Sequence, residues 1–187
     1  APYESAIEGE RALRLAPFGP SRLFVGLPPS TAERRIDVRL WMRSEGARAR
    51  ASLIWWSGDA ESAVAAADPG RLQVAGALIF TPTDRRTSDG WREWSSGPVD
   101  QSLAGVLRPY LLVEMDLGAA ESPDAGVWID AIEVLDVGVP VSDGSMCSAQ
   151  PSSCAPGGAC RLGRCVDARV VDGPGFATAA HRRQYVE

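Results

Sequence analysis

Two stretches of this chain switch between side-chain characters at every second residue, and that period restricts the fold more than any other feature. In the first, Ile36, Val38, Leu40 and Met42 fall on one side, while Asp37, Arg39, Trp41 and Arg43 fall on the other. In the second, Leu111, Val113, Met115 and Leu117 oppose Tyr110, Leu112, Glu114 and Asp116. A period of two belongs to extended backbone, whose successive side chains point to opposite sheet faces. One buried face and one wet face are expected for each, as in antiparallel sheets.

Short apolar runs with strand character recur up to residue 139, separated by turn signals. They are Ala12 to Leu15, Arg22 to Leu27, Ile36 to Arg43, Ala49 to Ser57, Gln73 to Thr81, Trp91 to Pro98, Pro109 to Leu117 and Val127 to Val137. Pro17, Gly19-Pro20, Pro28-Pro29, Gly46, Pro69-Gly70, Asp89-Gly90 and Pro123-Asp124 punctuate them. Many short strands at such spacing predict an all-β sandwich or barrel. No amphipathic run is long enough for a βαβ crossover, so a doubly wound parallel sheet is not expected. The one helical candidate in the body is the Ala-rich run from Ala60 to Ala67. The composition changes after Gly138. The expected division is a sandwich over 1–139, a linker and Cys-rich knot over 140–166, and a linker and tail over 167–187. A short helix over Thr178 to Glu187, or the start of a further domain, closes the chain.

Composition narrows the setting. The chain has 187 residues, 45% hydrophobic and 23% charged, which is a globular balance. The net charge of −5 argues against nucleic acid, whose binders carry a basic face. All 19 basic residues are arginines, and Lys and Asn are absent, so N-glycosylation has no acceptor. No stretch approaches the ~20 apolar residues of a membrane span. The chain starts at Ala1 without a signal peptide, and a processed or excised fragment of an exported, signal-bearing precursor is expected. A monomer, secreted, periplasmic or attached to the cell surface, is the expected form.

Three segments, in order, resemble the galactose-binding-like jelly roll found in many carbohydrate-binding modules. Gly9-Glu10-Arg11-Ala12-Leu13-Arg14-Leu15 resembles its early G-x-x-A-L-x-L strand. The run from Gly90 through Trp91, Trp94, Ser95, Ser96 and Pro98 to Val99 resembles the strand after its middle loop. Val127-Trp128-Ile129-Asp130-Ala131-Ile132-Glu133-Val134 resembles its closing strand, with Ala131 where a second Asp is common. The likeness spans residues 5 to 137. It departs at the start, where the family's opening strand, with a Glu and a Gly-Trp pair, has only Ala1 to Ile7 in its place. The resemblance implies an extracellular β-sandwich and a structural calcium, for which Asp130 matches the closing-strand carboxylate. Hard cations take ~6–8 oxygen ligands. The competing role for Asp130 is to accept backbone donors at a sheet edge.

All four cysteines lie in the segment from Cys147 to Cys165, spaced C-x6-C-x5-C-x4-C through Cys154 and Cys160. An even, clustered set in a Gly/Pro-rich stretch reads as disulfides formed in an oxidising compartment. Three pairings are open. Cys147–Cys160 with Cys154–Cys165 is preferred, because it suits a tight turn at Gly157-Gly158 and resembles small EGF-like half-modules. Each bridge is worth ~2–4 kcal/mol. Zinc is the competing reading, but zinc ribbons favour paired C-x2-4-C knuckles, which are missing.

The only histidine is His181, in the tail. A Ser-His-Asp or Cys-His site in the sandwich therefore lacks its base, and multi-His metal sites lack ligands. Carboxylate pairs remain. Glu114 and Asp116 share a strand face, and with Glu121 they resemble the Glu-x-Asp-containing signature of family-16 β-glucanases. Their gap to Glu121 is longer than that signature's, and Gly118-Ala119-Ala120 reads as a turn. The alternative is a solvated face whose charges oppose Arg39 and Arg43 on a neighbouring strand. Six tryptophans suit glycan stacking or core packing. Trp41, Trp56 and Tyr110 are the platform candidates, with Arg39, Arg43 and Glu114 beside them. Trp55 and Trp56 must face opposite ways, as must Trp91 and Trp94, whereas Trp128 shares a face with Asp130. The leading expectation is a non-catalytic accessory module of an exported protein, structural or protein-contacting. A carbohydrate-binding module is the alternative, and a β-glucanase-like hydrolase a remote one.

Overall fold

The alternating segments pair as the period requires. The computed structural model describes residues 7, 11–19, 21–27, 34–56, 74–102, 109–116, 120, 122–138, 147, 154, 156–161 and 164–172. Among these there is no helix, and so none long and apolar enough to cross a membrane. The strands are β1 (Leu13–Leu15), β2 (Arg22–Gly26), β3 (Arg35–Glu45), β4 (Arg48–Trp56), β5 (Val74–Ile79), β6 (Thr81–Arg86), β7 (Arg92–Ser95), β8 (Val99–Asp100), β9 (Pro109–Asp116), β10 (Gly126–Gly138), β11 (Gly158–Arg161), β12 (Arg164–Asp167) and β13 (Val171–Asp172). The candidate helix over Ala60 to Ala67, the Trp56 side chain, Glu121, His181 and the tail from Thr178 lie outside the described residues.

Two antiparallel sheets form the sandwich, and β11 and β12 make a separate two-stranded pair. One sheet runs β1-β10-β3-β7-β6, with β8 also against β3; the other runs β13-β5-β4-β9-β2. Successive strands change sheet from β1 to β2, β2 to β3 and β3 to β4, and again from β5 to β6, β8 to β9 and β9 to β10. That is the winding of a jelly-roll sandwich. We refer to the sheets as A (with β3) and B (with β4). Their inner faces bury Ile36, Val38, Leu40 and Met42 of β3, Ala51, Leu53 and Trp55 of β4, and Leu111, Val113 and Met115 of β9. Leu15 of β1 and Val127 and Ile129 of β10 complete this layer. Trp55 is fully buried and donates its indole N–H to the Gln101 carbonyl at 3.1 Å, so its burial leaves no donor unmet.

The expected strand over Gln73 to Thr81 is instead two strands bent at Phe80. The Phe80 side chain enters the core and its N–H donates to the Ala51 carbonyl at 2.9 Å. There the chain leaves sheet B and continues as β6, an edge of sheet A. The stretch beginning at Ala168, read from the sequence as linker, returns to the sandwich in its first five residues. Val170 enters the core cluster, and Val171 and Asp172 pair with Ala77 and Gly76 of β5. Two disulfides, Cys147–Cys160 and Cys154–Cys165, staple this appendage in the preferred pairing, and no free cysteine remains.

Candidate functional site

The outer face of sheet A collects most of the residues singled out by the sequence. Strand pairing sets Trp41 beside Glu93 and Asp130, Arg43 beside Trp128, and Arg14 beside Trp128 from the far side. Side chains paired this way share a face. This face was expected to be wet, and much of it is not. Trp91 is 1% exposed and Trp128 6%, because guanidinium planes lie over the rings. Arg14 stands 5.3 Å from the Trp128 ring centre and Arg43 4.8 Å, while Arg43 also lies 5.7 Å from Trp91. Arg85 covers Trp41 at 5.2 Å. These are cation–π distances, and the arginine stems add apolar cover. A turn at Asp89-Gly90 presents Trp91, whose N–H donates to Thr87 Oγ1 at 3.1 Å. Gly90 adopts a φ of 95°, which the turn requires.

Carboxylates sit between the arginines. Glu93 is 2% exposed and accepts from Thr83 Oγ1 at 2.9 Å and from Arg85. Asp37 accepts from Ser95 Oγ at 2.6 Å and Arg39 Nε at 2.8 Å. The hydrogen bond to Asp37, against the opposing effect of desolvation, raises the Arg39 pKa above its usual value. Pairing and hydrogen bonding are what make such buried charges tolerable.

Asp130 Oδ2 accepts the Ile7 N–H at 2.7 Å and its Oδ1 the Ala131 N–H at 2.7 Å. A bulge follows, with Ala131 at a φ of 47°, and pairing with β3 resumes at Glu133. Because the bulge comes after Asp130, Trp128 and Asp130 keep one face. Apart from the disulfide cysteines 147, 154 and 165, no group of three or more His, Cys, Asp or Glu side chains converges among the described residues. Calcium takes several oxygens, and among the described residues no two further carboxylates join Asp130.

Glu114 and Tyr110 lie on the other side of the molecule. Both belong to the outer face of sheet B, so they cannot join Trp41, Arg39 and Arg43 in one platform. The expectation that Glu114 and Asp116 oppose Arg39 and Arg43 is corrected accordingly. Their cross-strand neighbours are Arg22, Arg50 and Arg48, and Arg22 Nε lies 3.2 Å from Glu114 Oε1. Strand order, which local sequence does not encode, decides this. Arg48, Arg50, Glu114 and Asp116 rim a groove of about 260 Å³. Tyr110 stacks on Phe24, with ring centres 5.1 Å apart and planes 11° from parallel. Sequence reasoning passed over Phe24; alternation in its short strand was the only available signal.

A third cluster, also missed, joins the appendage to the sandwich. In the hairpin β11–β12, Cys160 and Cys165 are cross-strand neighbours, and each is bridged to an earlier cysteine. Beyond it, Arg169 donates from Nε to Asp167 Oδ1 at 3.1 Å, from one terminal nitrogen to the Ser96 carbonyl at 3.2 Å, and from the other to the Pro98 carbonyl and Asp167 Oδ2. Burial pushes the Asp167 carboxyl up, but the side-chain and backbone hydrogen bonds from Arg169 outweigh it and hold the pKa below the usual carboxylate value. Gly97, at a φ of 63°, leaves the room this needs, since a Cβ there would lie 2.8 Å from the Arg169 guanidinium. A corner groove of about 490 Å³ opens beside it, between Leu78, Ile79, Thr83, Ser95 and Arg169. Its Ser95 and Thr83 hydroxyls already donate to Asp37 and Glu93, and Arg169 is engaged with Asp167.

Compared with protein-family models, curated proteins and solved structures, the chain matches none.

Proposed function

We propose that this chain is a non-catalytic accessory module of an exported protein, serving as a structural or protein-contacting β-sandwich of the galactose-binding-like kind. One observation carries the reading: Trp41, Trp91 and Trp128, the tryptophans placed on the outer face of sheet A, each have an arginine guanidinium over the ring. Sugar stacking uses the flat face of an aromatic ring, and here intramolecular cations occupy it. The family likeness is supported by where its segments fall: the last three residues of the early segment, Leu13–Leu15, form β1, directly paired with the closing segment in β10. Export is supported by the two disulfides, which form in oxidising compartments.

A glycan array with wild type and Trp41→Ala tests it. No binding by either is expected; a signal that wild type gives and Trp41→Ala loses would overturn the proposal. The carbohydrate-binding alternative draws on the Phe24–Tyr110 stack of sheet B. Tyr110→Ala in the same array reads that face separately, and a signal lost there would favour the alternative.

A further inference from the structure

We propose that residues 164–172 form a redox-gated latch: the Cys154–Cys165 bridge holds β13 on β5, and its reduction frees that edge of sheet B. The ladder between β13 and β5 has only two residue pairs, Val171 with Ala77 and Asp172 with Gly76. So short a strand does not hold itself in place. It is held by what precedes it. Cys165, Val166 and Val170 are buried, and both valines belong to the sandwich core. Arg169 clamps the Ser96 and Pro98 carbonyls while bound to Asp167. The clamp is seated by β12, and β12 is anchored through Cys165.

The two bridges are also chemically coupled. Cys160 and Cys165 face each other across the hairpin, and the sulfurs of Cys147, Cys154 and Cys165 lie within 4.8 Å of one another. A thiolate released from one bridge is therefore within reach of the other, and exchange through a mixed disulfide links their fates. The reductant is a dithiol. Each bridge it opens accepts two electrons and two protons to give two thiols, and the dithiol closes into its own disulfide. Reduction removes the constraint on β12, the clamp unseats, and the β5 edge loses its partner. That edge belongs to an apolar strand, with Ile79 already 47% exposed, the kind of edge that proteins keep covered.

Amide hydrogen exchange on the full chain, oxidised and after dithiol treatment, tests the latch. Exchange over Gly76–Leu78 is expected to become at least tenfold faster on reduction, while β3 and β9 keep their protection. Replacing Cys154 and Cys165 together (Cys154→Ser with Cys165→Ser) should reproduce the pattern without reductant. Arg169→Ala, with both bridges intact, should give a smaller acceleration at the same amides. Unchanged protection at Gly76–Leu78, with all four thiols shown free by mass spectrometry, overturns the proposal. So does acceleration spread evenly over both sheets, which would make the bridges a staple of the whole fold.

Discussion

Asp167 shows how one side chain ties a small appendage to a larger body. It accepts the Arg169 backbone N–H at 3.0 Å and two bonds from the guanidinium, and those bonds lower its pKa below 3.8 despite burial. A group with a lowered folded-state pKa contributes stability that is present above its unfolded value and lost as pH falls through the folded one. Asp167→Asn should therefore melt below wild type by a constant margin from about pH 5 to pH 7. The margin should shrink as pH drops below about 4, where the unfolded chain takes up the proton, and vanish once pH has fallen through the lower pKa of folded Asp167. Thermal melts across that range read this directly, and a margin undiminished in acid would remove the ion pair from the account. Arg169, whose pKa the same bond raises, stays charged throughout.

Elements in this fold are placed by close approaches that only small residues allow. β1 lies against β10 where Gly126 opens the strand. A Cβ at Gly126 would stand 2.8 Å from Arg14 Nε, 3.2 Å from the Trp128 ring and 3.3 Å from the Leu15 carbonyl. Gly126→Ala therefore displaces Arg14 from Trp128 and pushes β1 outward. Urea unfolding should show a loss of about 1–3 kcal/mol, the usual range for overpacking. Faster amide exchange confined to β1 would locate the effect, and an unchanged midpoint would contradict it. β6 illustrates the opposite case. Its sequence, with Pro82, Asp84, Arg85 and Arg86, has little strand character, yet it forms the edge of sheet A. Charge and proline are how edge strands avoid pairing with other chains, so the same features that protect the edge conceal it from pattern reading.

At the scale of the whole molecule, two outer faces and one stapled corner divide the polar chemistry. Asp130 caps two backbone N–H groups, so neither millimolar calcium nor a chelator should move the melting temperature by more than about 1 °C; a shift growing with calcium concentration would place a cation there. Readable in the sequence alone were most strands of the body, though not β6 or β8, the inward set of β3 and β9, the opposed faces of Trp91 and Trp94, and the clustering of the cysteines. Those follow from a local period and from chain spacing. Tertiary structure alone decided that Glu114 answers Arg22 and not Arg39, that Trp128 and Trp91 are roofed by Arg14 and Arg43, and that Arg169 reaches Ser96 and Pro98. Each of these joins residues far apart in the chain, and strand order, not any short-range pattern, brings them together.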